Sequence, residues 1–182
     1  MKFSKKIAIA IKEKRLVKIY RYFTSEELII TGFILDSSDD FILLQNESDF
    51  LLDGYSIIRI NDIEKIRYGK YEKYFEMMLE KEGFLKDIGI DYKIELQNPQ
   101  SIFNSIKLKK LYVITECQKE NDGRFIIGPI ERSNKKSLEI RYFDATGYLE
   151  KKLTKLKFKD ITTIQIDTRY LNYFSKYLRG EK

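Results

Sequence analysis

The spacing of apolar positions repeats in the two halves of the chain. Tyr71, Tyr74, Phe75, Met78 and Leu79 fall at i, i+3, i+4, i+7 and i+8, and Tyr170, Tyr173, Phe174, Tyr177 and Leu178 repeat that spacing with nearly the same residue types. This is the period of an amphipathic helix, so each stripe is expected to bury one face. Lys73, Glu76 and Glu80, or Asn172, Ser175 and Lys176, would then face outward, with Gly83 and Gly180 as helix stops. Each half also opens with a short helical pattern. Ser4 reads as the N-cap of a helix carrying Ile7 and Ile11, and Asn98-Pro99 as an N-cap and N1 pair before Ile102 and Ile106. Leu16 and Leu111 then open β-like runs at the same offset.

Between these helices the period becomes that of strands. The first half gives candidates at Leu16–Phe23, Leu28–Leu35, Phe41–Gln45, Tyr55–Ile60 and Ile63–Tyr68. The second gives Leu111–Cys117, Arg124–Glu131, Ser137–Phe143, Leu153–Phe158 and Ile161–Asp167. Gly32 matches Gly128, Asp53-Gly54 corresponds roughly to Thr146-Gly147, and Asp62-Ile63 matches Asp160-Ile161. Asp36–Asp40 and Ser133–Lys136 read as hairpin turns, and Asn61-Asp62 as a tighter one. A glycine inside a strand marks a sharp bend or a close backbone approach, as a small closed barrel requires. The chain therefore reads as an internal duplication, with repeats at 1–83 and 98–182. Residues 84–97, with Ile88, Ile90, Ile94 and Leu96, form an ordered connector or an added strand. The expected fold class is mainly β with flanking helices (α+β). It consists of two tandem five-stranded antiparallel β-barrels, each with a short N-terminal helix and a C-terminal amphipathic helix.

Leu16, Val17 and Ile19, then Gly32, Leu35 and Asp36, then Phe41, Ile42, Leu43 and Leu44 resemble the first half of the Sm motif. There a glycine-bearing second strand leads through an acidic turn to an apolar third strand. Ile58-Arg59-Ile60-Asn61-Asp62-Ile63 is similar to the second half, although Ile60 stands where that family has glycine. The second repeat has Leu156-Lys157-Phe158-Lys159-Asp160-Ile161 at this place. The resemblance to the Sm-like small β-barrel implies single-stranded RNA as partner, bound by the two turn regions around a ring. Other small barrels, including the PRC-barrel type, fit the strand count as well.

Composition narrows the chemistry. Hydrophobic residues are 43% and charged residues 34%, with 2 Pro, which is a globular balance. Histidine is absent, which removes serine–histidine and cysteine–histidine catalysis and most zinc sites. Cys117 is the single cysteine, expected as a small buried hydrophobe. Asp36, Asp39, Asp40, Asp49 and Asp53 match no calcium-loop spacing, and no glycine loop for a phosphate or dinucleotide is present, so neither metal nor cofactor is expected. No apolar run approaches the roughly 18–20 residues that span a bilayer. The N-terminal residues lack a signal-peptide pattern, which makes the cytoplasm the expected location and a membrane partner unexpected.

The charge is unevenly divided. Residues 1–98 carry 16 Lys and Arg against 18 Asp and Glu, a net of −2, and residues 99–182 carry 18 against 10, a net of +8. Lys155, Lys157 and Lys159 alternate along a strand with Leu156 and Phe158, and with Lys151 and Lys152 make the densest basic patch. The patch reads either as phosphate-contacting or as a solvated strand face. Candidate nucleic-acid contacts are thus Arg59, Asn61, Lys151, Lys152, Lys155, Lys157 and Lys159. Candidates for packing between repeats, or against a partner, are Tyr71, Tyr74, Phe75, Tyr170, Tyr173 and Phe174. Tyr20, Tyr22, Tyr142 and Tyr148 are the tyrosines least committed to a core. The reading is a non-enzymatic binding or scaffold module for an unknown protein partner or for self-association, with RNA or other nucleic-acid binding as the alternative.

Overall fold

The computed structural model describes residues 2–23, 26–119 and 123–181, with Glu26 by its backbone alone. The chain divides into two compact units, Met1–Tyr92 and Lys93–Lys182, so the boundary falls inside the expected connector. Its described residues are mainly β with four α-helices.

In the first unit α1 (Ser4–Lys12) precedes β1 (Leu16–Phe23), β2 (Glu26–Ser37), β3 (Phe41–Ser48) and β4 (Leu51–Arg59). A 3-10 turn (Ile60–Asp62), β5 (Lys65–Arg67), α2 (Lys70–Lys81) and a second 3-10 turn (Phe84–Asp87) follow. The strands are antiparallel in the order β4–β3–β2–β1–β5. Val17, Ile19, Ile34, Ile42, Leu44 and Ile58 line one face and pack on Ile7 and Ala10 of α1. Leu16 and Phe33, a cross-strand pair on the other face, pack on Leu79 of α2 and on Ile88.

The second unit repeats this plan. Its elements are α3 (Pro99–Leu108), β6 (Tyr112–Cys117), β7 (Arg124–Ser133), β8 (Ser137–Ile140), β9 (Tyr148–Leu149), β10 (Thr154–Lys157), β11 (Thr163–Ile166), α4 (Arg169–Lys176) and β12 (Gly180–Glu181). The order is β10–β8–β7–β6–β11, and β12 adds a short parallel pair with β9. Ile114, Ile127, Phe143 and Leu171 of α4 form the core beneath the closing helix.

The registers of the two units coincide. Val17 pairs with Gly32 as Val113 does with Gly128, and a β-bulge at Leu35 is matched by one at Glu131. A methyl group on Gly32 would sit 2.1 Å from the Gln45 carbonyl oxygen, and one on Gly128 2.0 Å from that of Arg141. Only glycine permits that approach, which explains the glycine in both second strands. Both opening helices end alike. The N–H groups of Lys14 and Arg15 donate to Ile11 and Ala10, and those of Lys110 and Leu111 donate to Lys107 and Ile106. This is a Schellman closure with lysine in the left-handed position, at φ 48° and 56°. Leu16 therefore corresponds to Tyr112, one residue later than the Leu16–Leu111 match drawn from sequence.

Five expectations are corrected. First, neither sheet closes into a barrel through its described strand pairs. Among the described pairings β5 joins only β1, and no ladder joins β5 to β4 or β11 to β10. Second, α1 has no Ser4 cap, because the left-handed Phe3 precedes it without a side-chain hydrogen bond, whereas Asn98 does accept from the Ser101 N–H at 2.9 Å. Third, of the two readings of residues 84–97 the added strand is not found and the ordered connector is. Gln45 fixes it by donating to the Asp87 carbonyl (3.2 Å) and accepting from the Gly89 N–H (2.9 Å), and the Tyr55 hydroxyl donates to Gly89 (2.8 Å).

Fourth, α2 turns a different face inward. Glu72 is buried and takes two hydrogen bonds from Arg67 (2.6 and 2.9 Å), and Glu76 accepts from the Leu16 N–H (2.7 Å). The inward stripe is Glu72, Phe75, Glu76 and Leu79. Burial pushes the Glu72 carboxyl up, but the Arg67 guanidinium and the Gly69 N–H outweigh it and hold the group below its ordinary range. Fifth, α4 ends at Lys176 with Tyr177 as its C-cap, so Gly180 is not its stop and instead begins β12.

Candidate functional site

The turn between β7 and β8 is built by Asn134. Its Oδ1 accepts from the N–H groups of Lys136 (2.8 Å) and Ser137 (2.9 Å), and its Nδ2 donates to the Ser137 hydroxyl (2.9 Å). The end of β10 is tied to this turn, because the Phe158 N–H donates to the Lys136 carbonyl at 3.0 Å. Strand alternation puts Lys155 and Lys157 on one face and buries Leu156 on the other. Phe158 leaves the strand and stacks on Phe103 of α3, with ring centroids 5.4 Å apart at 15°.

These elements enclose an open pocket of about 630 Å³ lined by Asn134, Lys136, Ser137, Lys155, Lys157, Phe158 and Lys159. Most of the surface turned to the pocket is apolar, and its polar side chains are mainly donors. Four are ammonium groups, and the Asn134 carbonyl oxygen is already taken by two backbone N–H groups. Ser137 accepts from Asn134, which leaves its O–H to donate. Among the described residues no carboxylate lines the pocket. Glu139, opposite Lys155 in the strand pair, leans toward Arg132 at 4.0 Å. Such a lining favours an anion.

The corresponding place in the first unit has the same backbone and different chemistry. Ser38 replaces Asn134 and accepts through Oγ from the N–H groups of Asp40 (3.3 Å) and Phe41 (3.1 Å). The Ile60 N–H donates to the Asp40 carbonyl at 2.8 Å, as Phe158 does to Lys136. Arg59 pairs across the strands with Phe41, as Lys157 does with Ser137, and its guanidinium lies 5.3 Å over the Phe41 ring. Asn61 follows on the exposed side of the 3-10 turn, where the second unit has Lys159.

Of the residues singled out from sequence, Lys155, Lys157 and Lys159 thus come together in one pocket. Lys151 and Lys152 are exposed in the bend before β10 and do not line it, and Arg59 and Asn61 occupy the equivalent position of the first unit. Asn134, Lys136, Ser137 and Phe158 were not singled out. Asn134 and Lys136 read only as turn residues and Phe158 as core, and their role depends on a contact between turns distant in sequence. Tyr71, Tyr74, Tyr170 and Tyr173 are 67%, 63%, 48% and 63% exposed, while Phe75 and Phe174 are half-buried against their own units. Tyr20 lies beneath Lys65 and Arg67, Tyr22 donates to Glu27, Tyr142 is half-buried, and Tyr148 lies beneath Arg179. Among the described residues no His, Cys, Asp and Glu cluster could hold a metal ion, and no helix is long and apolar enough to cross a membrane. Neither a family model nor a curated protein nor a solved structure matches this chain.

Proposed function

We propose that the chain is a non-enzymatic binding module with two Sm-like units, the second of which binds single-stranded nucleic acid, RNA in preference to DNA. The polar side chains of the pocket, four lysines with Asn134 and Ser137, carry this reading. Four lysines set as point charges around a cavity of nucleotide size suit phosphate oxygens, and the Phe158 wall offers apolar contact to a base or sugar. The Sm resemblance places the ligand at the turns after the second and fourth strands. Those two turns are joined by one hydrogen bond in each unit, Ile60 to Asp40 and Phe158 to Lys136, which supports the same reading.

The test is a fluorescence titration of a short uridine oligoribonucleotide, and of its DNA counterpart, at two salt concentrations. Four phosphate contacts on a single strand give a log–log salt slope of about −2.8, so affinity falls about 50-fold between roughly 50 and 200 mM salt. Lys155→Ala with Lys157→Ala should bring the slope to about −1.4. Absence of salt-sensitive binding at micromolar protein refutes the assignment.

A second reading, attachment of a protein partner, is favoured by the exposed tyrosines on α4 and just past its end, where Tyr173 and Tyr177 are 63% and 73% exposed. Tyrosine is enriched at interface hot spots. Self-association measured by sedimentation, and lost in Tyr173→Ser with Tyr177→Ser, would support it.

A further inference from the structure

We infer that only one of the two copies has an open site, and that the residue at the start of the third strand decides which. That residue is Phe41 in the first unit and Ser137 in the second. The inference rests on the reading of the second-unit pocket as an anion site.

The two positions are equivalent by pairing. Phe41 lies opposite Arg59 in the β3–β4 ladder, and Ser137 lies opposite Lys157 in the β10–β8 ladder. Phe41 is 4% exposed and its ring lies under the Arg59 guanidinium at 5.3 Å, so the volume beneath that cation is filled by the protein itself. Ser137 projects only far enough to accept from Asn134, and the volume beneath Lys157 remains as the pocket. The neighbouring positions follow the same division. Leu43 and Ile57, buried in the first unit, correspond to Glu139 and Lys155, and Asp40 corresponds to Lys136. Where the second unit sets four lysines around a cavity, the first has Arg59 over the buried Phe41 ring and an aspartate, Asp40, in place of Lys136. Phe41 is therefore a plug, and the duplicated chain carries one anion site.

A reciprocal exchange tests this in the full-length chain, using a labelled uridine oligoribonucleotide short enough to occupy a single pocket. The wild type should bind one oligonucleotide per chain. Ser137→Phe keeps all four lysines and moves the plug into the second unit, and it should weaken binding at least tenfold with little change in the far-UV circular dichroism. Asp40→Lys with Phe41→Ser should raise the stoichiometry to two. A wild-type stoichiometry of two, or wild-type-like binding by Ser137→Phe, overturns the inference and leaves the pocket assignment standing. A wild type that binds nothing overturns both. Should Ser137→Phe fail to fold, the first-unit double variant decides: a folded protein with a second site supports the plug, and a folded protein without one refutes it.

Discussion

Adding one methyl group to the glycine of the second strand should be among the most damaging substitutions in either unit. In Gly32→Ala the new carbon would meet the Gln45 carbonyl oxygen at 2.1 Å, where ordinary contact begins at 3.4 Å. The strands must part by more than an ångström, yet β2 is held on its other side by β1 through the Val17–Gly32 pair. Opening the ladder at Gly32–Asn46 and Phe33–Gln45 forfeits about two backbone hydrogen bonds at roughly 1 kcal/mol each. Overpacking adds about 1–3 kcal/mol, for a total of about 3–5 kcal/mol. Gly128→Ala meets the Arg141 carbonyl at 2.0 Å and must also hold φ near 152°, so it should cost about 1 kcal/mol more. Gly83→Ala is the control, with φ 79° but nothing within 4 Å of the added carbon, and should lose only about 1 kcal/mol. Urea unfolding followed by circular dichroism at constant m-value reads all three. If Gly32→Ala costs no more than Gly83→Ala, the close approach is not what holds the strands in this register.

Two other expectations concern α2 and the opening helices. Ionised Glu72 is stabilised by Arg67 and the Gly69 N–H, so its folded pKa lies below the ordinary 4.5. The stability it contributes is complete above 4.5 and disappears as pH falls through the lowered value. Glu72→Gln should therefore destabilise at neutral pH by on the order of 1–3 kcal/mol and match the wild type in strong acid, and a pH-independent difference in urea unfolding would contradict this. Lys14→Gly and Lys110→Gly relieve a left-handed lysine in each Schellman closure, and each should stabilise by about 0.5–1 kcal/mol net of glycine's entropy. Destabilisation in thermal unfolding would mean that the lysine side chains hold the closures in place.

The parts legible in sequence are those written in backbone chemistry. Strands β1 and β3, the Asn98 cap and the paired glycines are local requirements, so period and turn residues reveal them. The face of α2 was not legible. Its inward positions include Glu72 and Glu76, which hydropathy counts as polar, and only Arg67 and the Leu16 N–H make their burial favourable. Of the pocket, the alternation of Lys155, Lys157 and Lys159 was visible, because period 2 within one strand needs no tertiary information. Asn134, Lys136 and Ser137 join it through a long-range hydrogen bond, Phe158 to Lys136, that nothing local announces.

The frame that carries these side chains is nearly the same in both units, since the bulge, the glycine approach and the joined turns fix where each Cβ points. Two chemistries then exclude one another on that frame. A lysine at the Ile57 position, which is 1% exposed, would bury an ammonium beside the Phe41 ring without a partner, at a cost of several kcal/mol. A phenylalanine at Ser137 would take from Lys155 and Lys157 the solvent that keeps their like charges apart. Intermediate mixtures combine both penalties, so a unit is favoured either closed and apolar or open and cationic. Of the 18 basic residues of the second half, this exclusion ties the four lysines of the pocket to Ser137. On the proposed reading the acidic turn Asp36–Asp40 of the first half opposes no bound anion, because the buried Phe41 ring fills the place that the pocket has in the second.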